Sequence, residues 1–226
     1  MALVIFDCDG VLVDSEIISA RCVHRALTAA GYETDEAAIL RRFLGISNAS
    51  MCKLLEEDGF TVPDDFLAGL RLDLLHVFET ELQPIPGIAD VLAELDGPRC
   101  VASSSNPERI QRALEITGLI GWLAPNLFSA TMVSRGKPKP DLFLFAAERM
   151  AEAPEDCIVI EDSEAGVTAG RAAGMRVLGF TGGGHVRHDD HAPKLLAAGA
   201  DRVFEQMTEL PDQIAQTLAQ EPLRWN

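Results

Sequence analysis

The chain has 226 residues, 47% of them hydrophobic and 24% charged, which is the composition of a globular protein large enough for one sizeable domain or a domain with an insertion. Its formal net charge of −16 excludes nucleic acid and anionic membrane surfaces as expected partners, since both are polyanions. No apolar run approaches the roughly 18 residues of a membrane span, and the opening "MALVIF" meets acids too soon for a secretory signal.

The first predicted element is a strand at "LVIF" (3–6), and it runs into "DCDG". In an extended chain Asp7 and Asp9 share a side while Cys8 points to the other. Two carboxylates that close repel, and one stays protonated near neutral pH unless a cation lies between them. Taken alone, the pair fits a solvated strand end as well as a metal or catalytic site.

Between Asp14 and Pro84 no strand pattern occurs, and four helical stretches follow one another with their own stop and start signals. The first runs from Ser15 to Ala30 and stops at Gly31; the second starts at Thr34, a good N-cap, and ends before Gly45. The third runs from Ser47 or Ser50 to Gly59, and the fourth begins at Pro63 and continues through "DDFLAGLRLDLLHVFETEL". Residues 15–84 thus form an expected helical cap domain, inserted into a core made of 1–14 and 85–226, with hinges near Asp14 and "QPIPG" (83–87).

Beyond the insertion, β-branched runs recur at 100–103, 127–130, 157–161, 176–180 and 202–204, separated by helical patterns at 87–96, 107–117, 140–152 and 164–173. Strands alternating with helices imply crossover units and a parallel sheet, an α/β Rossmann-like core flanked by helices. The near-continuous apolar "CIVI" (157–160) fits a strand covered on both faces.

In such sheets ligands bind outside the carboxyl ends of the strands. Those ends carry "DCDG", then "ASSSN" (102–106) before a helix start, then Lys137 and Lys139 in "SRGKPKPD" before the next, then Glu161 and Asp162 in "IEDSEAG". Each has an innocent reading: a helix cap, a solvated lysine, acids at a helix start. Together they place four acids, hydroxyls and a lysine at one sheet edge. Oxygen ligands call for a hard cation, with Mg²⁺ favoured, and the cation, Lys137 and the hydroxyls call for an anion, with phosphate the best fit.

On these motifs the chain resembles the haloacid dehalogenase superfamily over essentially its whole length, in the branch of capped phosphatases and phosphomutases similar to β-phosphoglucomutase and 6-phosphogluconate phosphatase. The likeness rests on "FDCDGVLVDSE", Ser103, Lys137 in "KPKPD", "ED" at Glu161–Asp162, and more loosely on "RRFLG" (41–45). The resemblance implies that Asp7 attacks phosphorus and that Asp9 is the general acid and base. It further implies that Asp7, Asp162 and the Asp9 backbone carbonyl hold Mg²⁺ with help from Glu161, and that Ser103 and Lys137 bind phosphate assisted by Ser104 and Asn106. The expected activity is hydrolysis of a small phosphorylated metabolite, a sugar phosphate or phosphosugar acid, with a phosphomutase or a non-catalytic binding protein as alternatives. Where mutase relatives carry a cap histidine and arginine, this chain has Ser19 and Asn48, which favours hydrolysis. Arg42 and Arg71 are the cap cations proposed to reach substrate.

"GGGHVRHDDH" (182–191) offers His185, His188 and His191, but the spacing matches no recurrent zinc pattern and the glycines favour a solvated mobile loop. The five cysteines are scattered and form no CxxC pair, so a reduced, cytoplasmic protein is expected, as a monomer or weak homodimer.

Overall fold

A computed structural model describes residues 2–43, 46–186 and 191–219. The helix stop expected at Gly45, and His188 of the glycine-rich loop, lie outside the described residues. Six strands form one parallel sheet: β1 (Leu3–Phe6), β2 (Arg99–Ser103), β3 (Leu127–Ser129), β4 (Cys157–Glu161), β5 (Arg176–Phe180) and β6 (Arg202–Phe204), in the order β3-β2-β1-β4-β5-β6. The order reverses at β1, which pairs with β2 on one side and β4 on the other. This is the switch point at which a crevice opens beyond the strand ends.

Side chains alternate across this sheet with period two. Val4, Phe6, Val101, Ile158, Ile160 and Leu178 enter one apolar cluster, while Leu3, Ile5, Cys100, Ala102, Val159 and Val177 enter the other. The second cluster is closed by α8 (Asp141–Arg149), α9 (Glu164–Ala172) and α10 (His191–Ala198), through Leu142, Phe143, Ala146, Val167 and Leu195. The first cluster takes in α5 (Ile88–Glu94), α6 (Pro107–Ile116), α7 (Ile120–Leu123) and α11 (Leu210–Ala219). Of these helices, α7, α10 and α11 were not expected from the sequence pattern.

The insertion folds as α1 (Glu16–Ala29), α2 (Glu36–Phe43), α3 (Asn48–Glu57) and α4 (Phe66–Glu81). Its apolar residues Leu27, Leu55, Leu74 and Phe78 belong to the same cluster as the first sheet face, so the cap core and sheet core are continuous. Two of the expected starts move. Asp35, not Thr34, caps α2, its Oδ1 accepting from Ala38 N at 2.6 Å, because the aspartate stands one residue nearer the free amides. Pro63 opens a turn closed by Phe66 N donating to Pro63 O at 3.0 Å, and α4 begins only at Phe66. Ser47 caps α3 by accepting from Ser50 N, which selects between the two serines considered for that start. The two connections to the insertion lie against each other: Asp14 N donates to Gln83 O at 2.9 Å and Ile85 N to Leu12 O at 3.0 Å.

Candidate active site

The loop after β1 is tight: Leu12 N and Val13 N both donate to Cys8 O, and Gly10 N donates to Val13 O. Gly10 has φ +80°, and a Cβ there would stand 2.0 Å from Asp162 Oδ2, so glycine alone lets the loop reach the end of β4. Asp7 and Asp9 are both buried beside it, and each has its own cation. Cys8 points instead into the core, where burial raises its thiol well above the ordinary range, ahead of repulsion from Asp9 and Asp7.

Asp7 faces Lys137, whose Nζ donates to Asp7 Oδ1 at 2.7 Å and to Glu161 Oε1 at 2.6 Å. The other oxygen of Glu161 accepts from Ser163 N and Ser163 Oγ, both at 2.9 Å. Ser163 also caps α9 by accepting from Gly166 N. A Cβ on Gly166 would lie 1.8 Å from Glu161 Oε1, so the first turn of α9 closes over the carboxylate only because that residue is glycine. Burial drives the Asp7 carboxyl well above the ordinary range, against Lys137 and with repulsion from Glu161, Asp162 and Asp9. Burial, then repulsion from Glu161, does the same to Asp162. Burial works against the charge on Lys137, but Asp7 and Glu161 outweigh it and hold the ammonium charged.

Asp9 has a different set of partners. Its Oδ1 accepts from Ser15 Oγ at 2.5 Å and Arg109 Nη2 at 2.6 Å, and its Oδ2 from Ser105 Oγ at 2.7 Å and Ser103 Oγ at 3.4 Å. Burial alone would raise this carboxyl, but Arg109, with the Ser105 and Ser15 hydrogen bonds, lowers it overall. Asn106 caps α6, its Oδ1 accepting from Arg109 N at 2.9 Å, so that oxygen serves the helix as well as facing the cavity. Ser104 lines the same cavity.

The cap candidates separate. Arg71 lines the cavity and is paired with Glu108 of α6 at 2.5 Å, across the boundary between insertion and sheet domain. Arg42 does not line it: its guanidinium is tied to the Asp58 carboxylate, the Tyr32 hydroxyl and Leu54 O, and so staples α2 to the end of α3. Arg42 thus joins two helices of the insertion and stands outside the cavity lining.

Sequence reasoning missed Ser15, Glu16 and Arg109, took Ser105 only as one of the hydroxyls of "ASSSN", and set His185 aside as part of a solvated loop. Arg109 carried a legible signal, since a cation in the first turn of a helix opposes the macrodipole and calls for a separate reason to be there. The solvated-loop reading of the histidines does not hold for two of them. The His185 side chain is 2% exposed, with Nε2 3.1 Å from Asp162 Oδ2, and His191 Nε2 lies 2.5 Å from Asp162 O. Gly183 and Gly10 leave room for the His185 ring, and Gly184 N donates to Asp14 Oδ1, which folds the loop onto the acids. Burial lowers both imidazoles, so they stand neutral.

Asp7, Glu161 and Asp162 offer carboxylate oxygens that all lie within 4.8 Å of one another, and Asp162 Oδ2 is buried without a hydrogen-bond partner. Above them a cavity of about 90 Å³ opens toward the insertion, polar where Asp9, Ser19 and Arg109 line it and apolar at Val23, Met51 and Leu74.

The family model for haloacid dehalogenase-like hydrolases matches residues 1–174, and the chain belongs to that family of enzymes. It is 30% identical over 211 residues to the 6-phosphogluconate phosphatase of Escherichia coli K12, covering 92% of each chain. A haloacid dehalogenase-like protein of Agrobacterium tumefaciens superposes with a TM-score of 0.82 at 38% identity, covering 96% of this chain and 99% of that one. A family hydrolase from Deinococcus radiodurans, solved with bound phosphate and sodium, superposes with a TM-score of 0.76 at 34% identity and 98% coverage of both chains. Among the described residues no helix is long and apolar enough to cross a membrane.

Proposed function

We propose that the chain is a divalent-metal-dependent phosphatase that hydrolyses a small phosphorylated sugar or sugar acid through an aspartyl phosphate on Asp7. The charge balance of the site carries this reading. Asp7, Asp9, Glu161 and Asp162 are four buried acids, Lys137 is a buried cation and Arg109 a half-buried one, so two negative charges are in excess when all are ionised. A divalent cation balances that excess, and Asp7, Glu161 and Asp162 bring carboxylate oxygens within 4.8 Å of one another, close enough to share one ion. An all-oxygen donor set suits Mg²⁺. Asp7 and Asp162, with Glu161 and the Asp9 backbone carbonyl at hand, would hold it. Bound there, Mg²⁺ supplies neutralisation of charge on the transferring phosphoryl group.

The chain's own groups supply the rest. Asp7 attacks phosphorus as the bond to the leaving oxygen breaks, and Lys137, hydrogen-bonded to Asp7, neutralises charge on the phosphoryl oxygens. Once its ion pair with Arg109 opens, Asp9 takes a proton from solvent and gives it to the leaving alkoxide, then takes one from the water that cleaves the Asp7–phosphorus bond. The Ser103 hydroxyl, at the end of β2 and lining the cavity, orients a phosphoryl oxygen. The named phosphatase among the relatives and the phosphate bound to the Deinococcus protein support the same chemistry.

The test is phosphate release from a panel of sugar phosphates with Mg²⁺ or with EDTA, for wild type and Asp7→Asn. Release that needs Mg²⁺ and vanishes in Asp7→Asn is expected. Equal release in EDTA, or by Asp7→Asn, overturns the mechanism.

A further inference from the structure

Asp9 is crowded with donors, three within 2.7 Å and Ser103 at a longer 3.4 Å. A carboxylate has about four lone-pair positions, and Asp9 is met by four donors: Ser15, Arg109, Ser105 and Ser103. For Asp9 to exchange a proton with a substrate oxygen, one donor has to withdraw. Ser103 ends β2, Ser105 follows within the same short turn, and Ser15 precedes α1 directly. Their hydroxyls sit on short side chains close to the backbone. Arg109 is different, since it reaches in from α6 on a long arm that also donates to Ser19 Oγ of the insertion at 2.9 Å.

A guanidinium that leaves Asp9 inside a mostly buried site needs another anion. The side chain is 16% exposed, packs over the Phe78 ring with 5.3 Å to the centroid, and lines the cavity. Its fork is half used. Nη2 makes both contacts, while the buried Nε has no partner. Elsewhere in the chain Arg135 shows the completed arrangement, with Nε and Nη2 on the two oxygens of Asp141 at 2.9 and 3.0 Å. The planar fork of arginine matches a carboxylate in this two-bond geometry.

We propose that Arg109 is the specificity residue of this site: it exchanges Asp9 for a carboxylate on the substrate, so the preferred ester is a phosphorylated acid rather than a neutral sugar phosphate. The inference rests on the phosphatase reading above and adds the second anionic group. Of the two arginines lining the cavity, Arg71 is tied to Glu108, while Arg109, with Ser19 beside it, stands next to Asp9 and so accounts for one planar anion beside the leaving oxygen. Phosphate itself would be served by Lys137 and the metal on the side of Asp7.

The experiment compares two esters of equal length, 6-phosphogluconate and glucitol 6-phosphate, which differ in a carboxylate against a hydroxymethyl group. With Mg²⁺, wild type should favour the acid in kcat/KM by about 10- to 100-fold, the range of one charge-assisted hydrogen-bonded pair. Arg109→Gln should bring that ratio close to one, and Arg109→Lys should keep an intermediate preference. Inhibition by the dephosphorylated acid, gluconate, should weaken in parallel, while inhibition by glucitol should not. A general loss of structure lowers both esters together and leaves the ratio unchanged. Equal kcat/KM for the two esters in wild type overturns the role of Arg109 while leaving the phosphatase reading intact, and so does an unchanged ratio in both folded variants. No phosphate release from either ester or from p-nitrophenyl phosphate overturns both.

Discussion

Lys137 gives the most exposed test of the charge balance. Its side chain is 1% exposed, and its Nζ lies 2.7 Å from Asp7, 2.6 Å from Glu161 and 5.0 Å from the centre of the Phe143 ring. Lys137→Met keeps the length and the contact with Phe143 but removes the charge, leaving two buried carboxylates facing each other. Breaking a buried pair from one side costs about 3–5 kcal/mol. For a chain of this size each kcal/mol shifts Tm by about 2–4 °C, so the variant should melt about 6–20 °C below wild type in EDTA at pH 7.5. Two arms check the cause. Mg²⁺ should restore part of the loss, because a cation held by Asp7 and Asp162 takes over the neutralisation and stabilises the folded state by mass action. Lowering the pH should also shrink the gap, since burial raises the Asp7 carboxyl and favours its neutral form. Urea or thermal unfolding read by circular dichroism measures both arms. A variant within about 0.5 kcal/mol of wild type in EDTA, the scatter of an ordinary surface substitution, refutes the assignment of Lys137 as the counter-charge of these acids.

His185→Ala, which removes the ring packed on Asp162, should weaken Mg²⁺ binding measured by titration calorimetry by about 10- to 100-fold, as loss of an outer partner of a metal ligand does; an unchanged affinity would leave His185 a packing residue. Burial raises the Glu16 carboxyl from the ordinary value near 4.5 to about 8, with Asp9 and Asp162 adding repulsion. Because the folded value is the higher one, the stability tied to Glu16 is complete below about 4.5 and is lost as pH rises through about 8. Glu16→Gln should therefore lose less stability than wild type between pH 5 and pH 8 in urea titrations with EDTA, and identical slopes would count against a protonated Glu16. Arg42→Ala should leave kcat/KM unchanged and cost at most about 1 kcal/mol, as for an exposed ion pair; a loss of kcat/KM would return Arg42 to the substrate site.

Much of this protein could be read from its residues because local rules and tertiary placement agree. Apolar runs bounded by turn residues marked all six strands, and the strand–helix alternation admits only crossover connections, which force a parallel sheet. A parallel sheet gathers its strand ends at one edge, and so Asp7, Ser103, Lys137, Glu161 and Asp162 were recognisable as neighbours although Asp7 and Asp162 are 155 residues apart in sequence. The absence of strand pattern over residues 15–84, with its glycine stops, likewise marked four helices. What the sequence could not decide is which side chain answers which charge. Arg42 and Arg71 stand in similar helical contexts, yet the packing of α2 against α3 turns one onto Asp58 and the approach of α4 to α6 leaves the other at the cavity. Arg109 and His185 enter the site through contacts spanning 100 and 23 residues, made possible by a helix start placed beside β1 and by glycines that admit a ring next to Asp162. Periodicity and spacing report on the backbone, whose preferences are local; the partner of a long charged side chain is fixed only when distant segments pack and remove the water that would otherwise solvate it.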